Sequence, residues 1–136
     1  MSTPIRSFED LDCWKAGREL RLFVYRNVLP VLPHEERYRL GDQVLRAARS
    51  VTANIAEGYG RYHYLDNSKF CSYARGSCTE VLDHLITARD EDLISESLIS
   101  QGRQKVERAL QVINGYISYL KRTHVTDGKP GTAKPE

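Results

Sequence analysis

The side chains best suited to chemistry in this chain are its arginines, which outnumber its lysines by 14 to 6. Arg39, Arg46 and Arg49 are seven and three residues apart, so on a helix they would share one face. A planar guanidinium contacts phosphate through two parallel N–H donors. The spacing therefore predicts a phosphate-binding row. A solvated face, or arginines paired with acids of a neighbouring helix or subunit, would give the same pattern.

The local distribution of charge bears on these alternatives. The net charge is only +2, yet residues 37–75 hold seven basic and three acidic side chains, whereas residues 80–96 hold six acids and one arginine. These two stretches could pair with each other, which favours a protein-interaction scaffold. Exposed arginines without acidic partners would instead favour binding of nucleic acid.

The segment Gly-Tyr-Gly-Arg-Tyr-His-Tyr at residues 58–64 is a second candidate. Arg61 and Tyr62 could grip a single strand, because tyrosine rings stack on unpaired bases. Tyrosines at the end of a helical bundle also commonly cover its core while their hydroxyls reach water. We predict both residues as nucleic-acid-binding candidates.

Asn54 and Glu57 lie three residues apart among small side chains. Such a pair could form a buried polar binding site. A hydrogen bond across helices that fixes their register, or a cap on a neighbouring helix end, is the commoner explanation. We therefore interpret Asn54 and Glu57 as structural.

Enzyme and metal motifs are missing from the sequence. Its four histidines show no H-E-x-x-H or E-x-x-H pairing, and Ser77 and His84 lack an orienting acid. Cys71 and Cys78 are two helical turns apart, about 10 Å, too far to bond each other. The sequence predicts a protein without catalytic residues, cofactor or metal, whose thiols are buried.

Four segments must position these residues, and each has apolar positions at helical spacing. They span residues 8–29, 36–58, 66–89 and 95–122. We expect helix starts near Ser7, Asp66 and Ser95 and a helix stop at Gly58. The predicted fold is all-α, an antiparallel up-down-up-down four-helix bundle over residues 1–122, with a disordered tail over residues 123–136.

The predicted buried positions of each segment follow steps of three and four. In the first they are Cys13, Ala16, Gly17, Leu20, Phe23, Val24 and Val28. In the second they are Leu40, Val44, Ala47, Ala48, Val51 and Ile55. In the third they are Phe70, Ala74, Ser77, Val81, Leu85 and Ala88. In the fourth they are Ile99, Val106, Leu110, Ile113, Ile117 and Leu120.

Composition sets the general class of the protein. With 40% hydrophobic and 28% charged residues the chain is globular, and it has no apolar run long enough to cross a membrane. Three cysteines and no signal-like start predict a cytoplasmic location. Trp14, Leu22 and Tyr25 fall outside the main stripe of the first segment. They would suit contacts between subunits, although a broad core face would explain them as well.

Four stretches of the chain resemble one bacterial family, the four-helix-bundle proteins related to the 23S rRNA intervening-sequence protein. Residues 8–16 are similar to its F-x-x-L-x-V/C-W opening, and residues 36–40 to its E-x-Y-x-L motif. Residues 46–58 resemble R-A-x-x-S-x-x-x-N-I-A-E-G, and residues 74–77 read A-R-G-S. The resemblance covers residues 8–122. It implies a non-enzymatic homopentamer, and similar retroelement accessory proteins are basic pentamers that bind nucleic acid and a reverse transcriptase.

Overall fold

The computed structural model describes residues 4–61 and 63–127, and within these ranges the chain is helical without strands. Its α-helices are α1 (Asp12–Phe23), α2 (His34–Arg37), α3 (Leu40–Gly60), α4 (Tyr64–Asp90) and α5 (Glu96–Asp127). The predicted all-α four-helix bundle is confirmed, with α1, α3, α4 and α5 as its long members. The up-down-up-down order of the helices remains a prediction. Helix α5 extends past the predicted boundary at residue 122, and the rest of the predicted tail lies outside the described residues.

The core lies between the four long helices, where α1 and α4 each pack against both α3 and α5. Every stripe position predicted for the first two segments is buried, because small and apolar side chains recur there at helical spacing. The fourth segment is also confirmed, except that Leu110 is only partly buried.

The buried face of α4 is partly as predicted. Ala74, Val81, Leu85 and Ala88 are buried, whereas Phe70 and Ser77 are only partly buried. The face also contains polar residues, cysteines and Tyr64, which were not predicted. The buried residues of α4 are Tyr64, Asn67, Ser68, Cys71, Ala74, Cys78, Val81, Leu85 and Ala88. Asn67 tolerates burial because its Nδ2 donates a hydrogen bond to the Tyr116 hydroxyl at 3.1 Å.

The predicted second segment is wrong in being one continuous helix. The short α2 ends at Arg37, and the chain turns before α3 begins at Leu40. Within this turn the N–H of Arg39 donates to the carbonyl of Glu36, while the guanidinium of Arg37 donates hydrogen bonds back to the carbonyls of Leu32 and Pro30, before α2. Arg39 therefore precedes α3 with non-helical backbone angles (φ −116°, ψ −93°).

One predicted helix start is confirmed for a long helix, and another is found only on a short turn. Ser7 caps the 3₁₀ turn Phe8–Asp10, whereas α1 itself begins at Asp12 after the extended Leu11. The Ser7 hydroxyl accepts the N–H of Glu9, and the Asp10 carboxylate accepts the N–H of Ser7, which forms a capping box. The N–H groups of Arg6 and Ser7 lower the pKa of Asp10 below its ordinary value. At α5, the Ser95 hydroxyl accepts the N–H of Leu98 at 3.0 Å.

The other two predicted helix ends are wrong. Helix α4 begins at Tyr64 after His63, so Asp66 lies in its first turn, where its charge still suits the positive helix end. Helix α3 continues past Gly58 to Gly60. Gly58 is buried against α4, and this close approach of two backbones accounts for the glycine.

Helix α1 passes directly into a π-helical turn at Val24–Val28. Leu20, Val24 and Val28 are all buried, at two successive steps of four residues. Buried positions of a regular helix alternate steps of three and four, so this stretch contains eight residues where seven are usual. The wider turn absorbs the additional residue and keeps Val28 on the core face.

Candidate nucleic-acid interface

The predicted arginine row is only partly a feature of α3. Arg46 and Arg49 are exposed on this helix and are separated by one turn, about 4.5 Å along its axis. Arg39 lies before the helix, and its exposed guanidinium is 3.9 Å from the carboxylate of Glu36. The helical-spacing argument therefore holds for Arg46 and Arg49, whereas Arg39 extends the row from the preceding turn.

The acidic stretch does not neutralise these arginines within the chain. Glu80 lies 3.1 Å from the ring of His84, and Arg89 lies near Asp90 and Glu96. In the part of the chain that the structure describes, neither the Arg46 nor the Arg49 guanidinium forms a salt bridge or a hydrogen bond. Their charge is consequently available to a partner molecule.

Arg61 does not join this row. It follows the last residue of α3, about 18 Å along the axis from Arg49. Its guanidinium lies 3.5 Å from Glu57 and 4.8 Å from the ring centroid of Phe70, so an acid and an aromatic face already occupy it. The other candidate of this loop, Tyr62, lies outside the described residues.

The structure also forms a groove that the sequence did not reveal. This groove, which we call the aromatic groove, lies between α3 and the start of α1 and has a volume of about 390 Å³. Its lining residues are Phe8, Trp14, Arg21, Arg49, Thr52, Ala53 and Ala56. Trp14 and Arg21 are seven residues apart, so the sequence could have placed them on one face of α1. That this face lies beside α3 is seen only in the folded structure.

Contacts within the aromatic groove fix most of its side chains. The rings of Phe8 and Trp14 meet edge to face, with centroids 5.4 Å apart and planes at 65°. One guanidinium nitrogen of Arg21 donates a hydrogen bond of 2.8 Å to the Thr52 hydroxyl, linking α1 to α3. Arg49 is the guanidinium of this groove without a bond to the described residues.

Asn54 and Glu57 form two separate contacts. The half-buried Asn54 donates to both the carbonyl and the hydroxyl oxygen of Ser50, each at 2.9 Å. The hydroxyls of Ser50 and Ser77 are in turn 2.9 Å apart, which links α3 to α4. Glu57 is exposed and pairs with Arg61 at the helix end, a type of surface ion pair that contributes at most about 1 kcal/mol.

Replacing Asn54 by alanine should lower the free energy of unfolding by about 1 kcal/mol. The substitution removes the donor that orients the Ser50 hydroxyl, while water can reach part of the site. Chemical denaturation of Asn54→Ala and of Ser77→Ala should give similar losses, because both changes disrupt one network. Unchanged stability together with loss of a bound molecule would identify Asn54 as a ligand-binding residue instead.

The three cysteines are buried and free, as predicted. Burial raises the pKa of the Cys71 and Cys78 thiols from 9.0 to about 12. Burial also raises the pKa of the Cys13 thiol, and the negative charge of an ionised Cys71 nearby would raise it further. Among the described residues, no three His, Cys, Asp or Glu side chains are grouped so that they could hold a metal ion.

These observations define the class of protein: an all-α four-helix bundle with an arginine-bearing outer face. Within residues 4–61 and 63–127, no helix combines the length and the apolar character needed to span a membrane. The sequence model of the 23S rRNA-intervening sequence protein family matches residues 9–115, and the chain therefore belongs to this family. No curated protein matches the chain significantly.

Proposed function

We propose that this protein is a non-enzymatic, homo-oligomeric bundle of the cytoplasm that binds RNA through Arg39, Arg46 and Arg49. The observation that carries the proposal is that Arg46 and Arg49 are exposed and unpaired within the described chain. The family's description, which refers to an intervening sequence of 23S rRNA, supports RNA as the polyanion.

The energetics of such a row favour a phosphate backbone. Each guanidinium that contacts a phosphate releases a condensed counterion, so affinity arises without recognition of bases. Three arginines in one subunit provide only weak binding. Repetition of the row in an oligomer would raise the overall affinity through avidity.

The affinity for single-stranded RNA should fall steeply with salt, with a logarithmic slope of about −0.7 for each phosphate contact. In the double variant Arg46→Gln, Arg49→Gln this slope should become less steep by about 1.4, since two contacts are removed. Fluorescence anisotropy of a labelled oligonucleotide between about 50 and 200 mM salt measures this change.

The matched control is Arg103→Gln with Arg108→Gln, which removes two exposed arginines from α5. It should leave most of the slope intact. An equal effect of both double variants would mean that the contacts are spread over the surface. If the natural protein retains no RNA at about 50 mM salt, the row is only a solvated face.

Self-association is supported by open surface on the long helices. Gly76 of α4 and Gly115 of α5 lie inside exposed helical turns, and no atom of the described chain lies within 4 Å of an added Cβ. A glycine there weakens its helix by about 1 kcal/mol relative to alanine, and the fold gives no reason for it. Leu65 and Tyr73 of α4 are each about half exposed, at 50% and 49%. Such a surface is suited to another subunit.

Sedimentation equilibrium should therefore give a mass about five times that of the 15.6 kDa chain. The open helix surface supports self-association, and the number of five subunits comes from the family resemblance alone. A single species of chain mass at micromolar concentration would contradict it.

One observation favours the alternative, a protein-interaction scaffold without a role in nucleic-acid binding. Tyr25, Val31 and Tyr38 are 56%, 53% and 69% exposed in the segment from the end of α1 to the start of α3. Tyr25 also lines a groove of about 420 Å³ with Pro30 and Arg37. Absence of RNA binding together with a partner protein whose binding is lost in Tyr25→Ala would favour the scaffold.

A further inference from the structure

The aromatic groove combines two aromatic rings with small side chains of a neighbouring helix. Phe8 packs edge-on against Trp14, and both rings remain partly exposed. The lining from α3 includes the small side chains of Ala53 and Ala56, so α3 leaves room beside the indole. The volume of about 390 Å³ lies in the range of small-ligand sites. A flat molecule could lie against these rings.

The charge of the groove restricts the chemistry of that molecule. Two guanidiniums, those of Arg21 and Arg49, line it, and none of the lining residues among those described is a carboxylate. The guanidinium of Arg21 is held in place by its bond to Thr52, whereas the guanidinium of Arg49 has no bond to the described residues. The groove thus offers aromatic rings beside two cations, one held in place and one without a bond. Such a surface is complementary to a flat ring that carries an anionic group.

We propose that the aromatic groove binds one unpaired nucleotide of an RNA strand. The base stacks against Trp14, and the adjoining phosphate contacts Arg49, with Arg21 as the second cation. This inference rests on the proposed function and deepens it, because Arg49 belongs to both the row and the groove. It gives the protein a preference for single strands over duplexes, since a base inside a duplex cannot enter the groove.

The test uses Trp14 itself, because the chain contains a single tryptophan. Tryptophan fluorescence is measured in the full-length protein during titration with a uridine oligonucleotide, with an abasic oligonucleotide of equal length, and with an RNA duplex. Stacking should quench the emission with the uridine strand. The abasic strand, which offers phosphates without bases, should leave the emission unchanged, and the duplex should have little effect.

A variant provides the second measurement. Trp14→Leu keeps an apolar side chain but removes the stacking surface, and it should weaken binding of the uridine strand by about tenfold. Its affinity for the duplex should stay within about twofold of the natural protein. Circular dichroism checks that the variant is folded, and the fluorescence titration of the natural protein decides the question if it is not.

Each other outcome is decisive. If uridine strands bind without quenching of Trp14 and Trp14→Leu binds them as tightly as the natural protein, the groove is not the site, while the arginine row stands. If no RNA binds at about 50 mM salt, the proposed function fails together with the groove. If the emission of Trp14 changes when the oligomer is diluted without RNA, the groove is occupied by a second copy of the chain, and the proposal is overturned.

Discussion

Raising the pH from about 8 to about 11 should unfold this protein, because its buried thiols cannot ionise in the folded state. Burial raises the pKa of Cys71 and Cys78 to about 12, and it raises the pKa of Cys13 and Tyr116 as well. In the unfolded chain the thiols ionise near pH 9.

The sign of the effect follows from proton binding. Between pH 9 and the folded pKa values, the folded protein keeps protons that the unfolded chain has released, so a rise in pH favours unfolding. Each thiol contributes a loss of about 1.4 kcal/mol per pH unit, and three thiols together about 4 kcal/mol per pH unit. A rise of two pH units therefore removes a free energy comparable with the total stability of a small domain.

Denaturant titrations between pH 8 and 11 measure this loss. The triple variant Cys13→Ala, Cys71→Ala, Cys78→Ala should be less stable at pH 8, because it leaves small cavities, yet its stability should depend much less on pH. A residual slope above pH 10 would belong to the buried Tyr116 and should disappear in Tyr116→Phe. Equal slopes in the natural protein and the triple variant would contradict the explanation.

Gly58→Ala should lower the free energy of unfolding by about 3 kcal/mol. A Cβ at this position would lie 2.7 Å from the side-chain oxygen of Asn67, 2.9 Å from its backbone oxygen and 3.0 Å from the Cβ of Phe70. Two of these three atoms, the carbonyl oxygen and the Cβ of Phe70, move only with the backbone of α4. The two helices must therefore separate, which also disturbs the bond from Asn67 to Tyr116.

The matched control is Gly60→Ala, at the exposed last residue of α3, where the space for an added Cβ is open. This variant should change the free energy of unfolding by no more than about 1 kcal/mol. Thermal and chemical denaturation of both variants compare the two effects. If Gly58→Ala is as stable as the natural protein, the close approach of α3 and α4 does not explain the glycine.

The sequence predicted the fold well where core positions are apolar. The stripes of the first two segments were correct residue by residue, because hydrophobic side chains mark the buried face directly. In α4 the centre of the face contains Asn67, Ser68 and two cysteines. A search for apolar residues passes over such positions, because their burial depends on partners in other helices, such as the Tyr116 hydroxyl.

The candidate interface was predictable to a smaller extent. The exposure of Arg46 and Arg49 could be predicted from helical spacing. The apolar stripe of α3 must face the core, so the arginines on the other side of the helix must face solvent. The position of Arg39 could not, because the chain turns between α2 and α3 and leaves Arg39 outside the helix with non-helical backbone angles. The aromatic groove depends on α1 and α3 lying side by side with Trp14 next to Ala53, and one segment alone contains no sign of this arrangement.

The π-helical turn at Val24–Val28 has a consequence for how the length of this chain can change. The turn accommodates one residue beyond what a regular helix needs, so deletion of one exposed residue among Tyr25, Arg26 and Asn27 would leave an ordinary α-helix with the same core residues. A deletion within α3 would instead rotate every later side chain by about 100° and expose the core. Single-residue insertions and deletions at the end of α1 should therefore leave the protein folded, whereas the same changes within α3 should prevent folding.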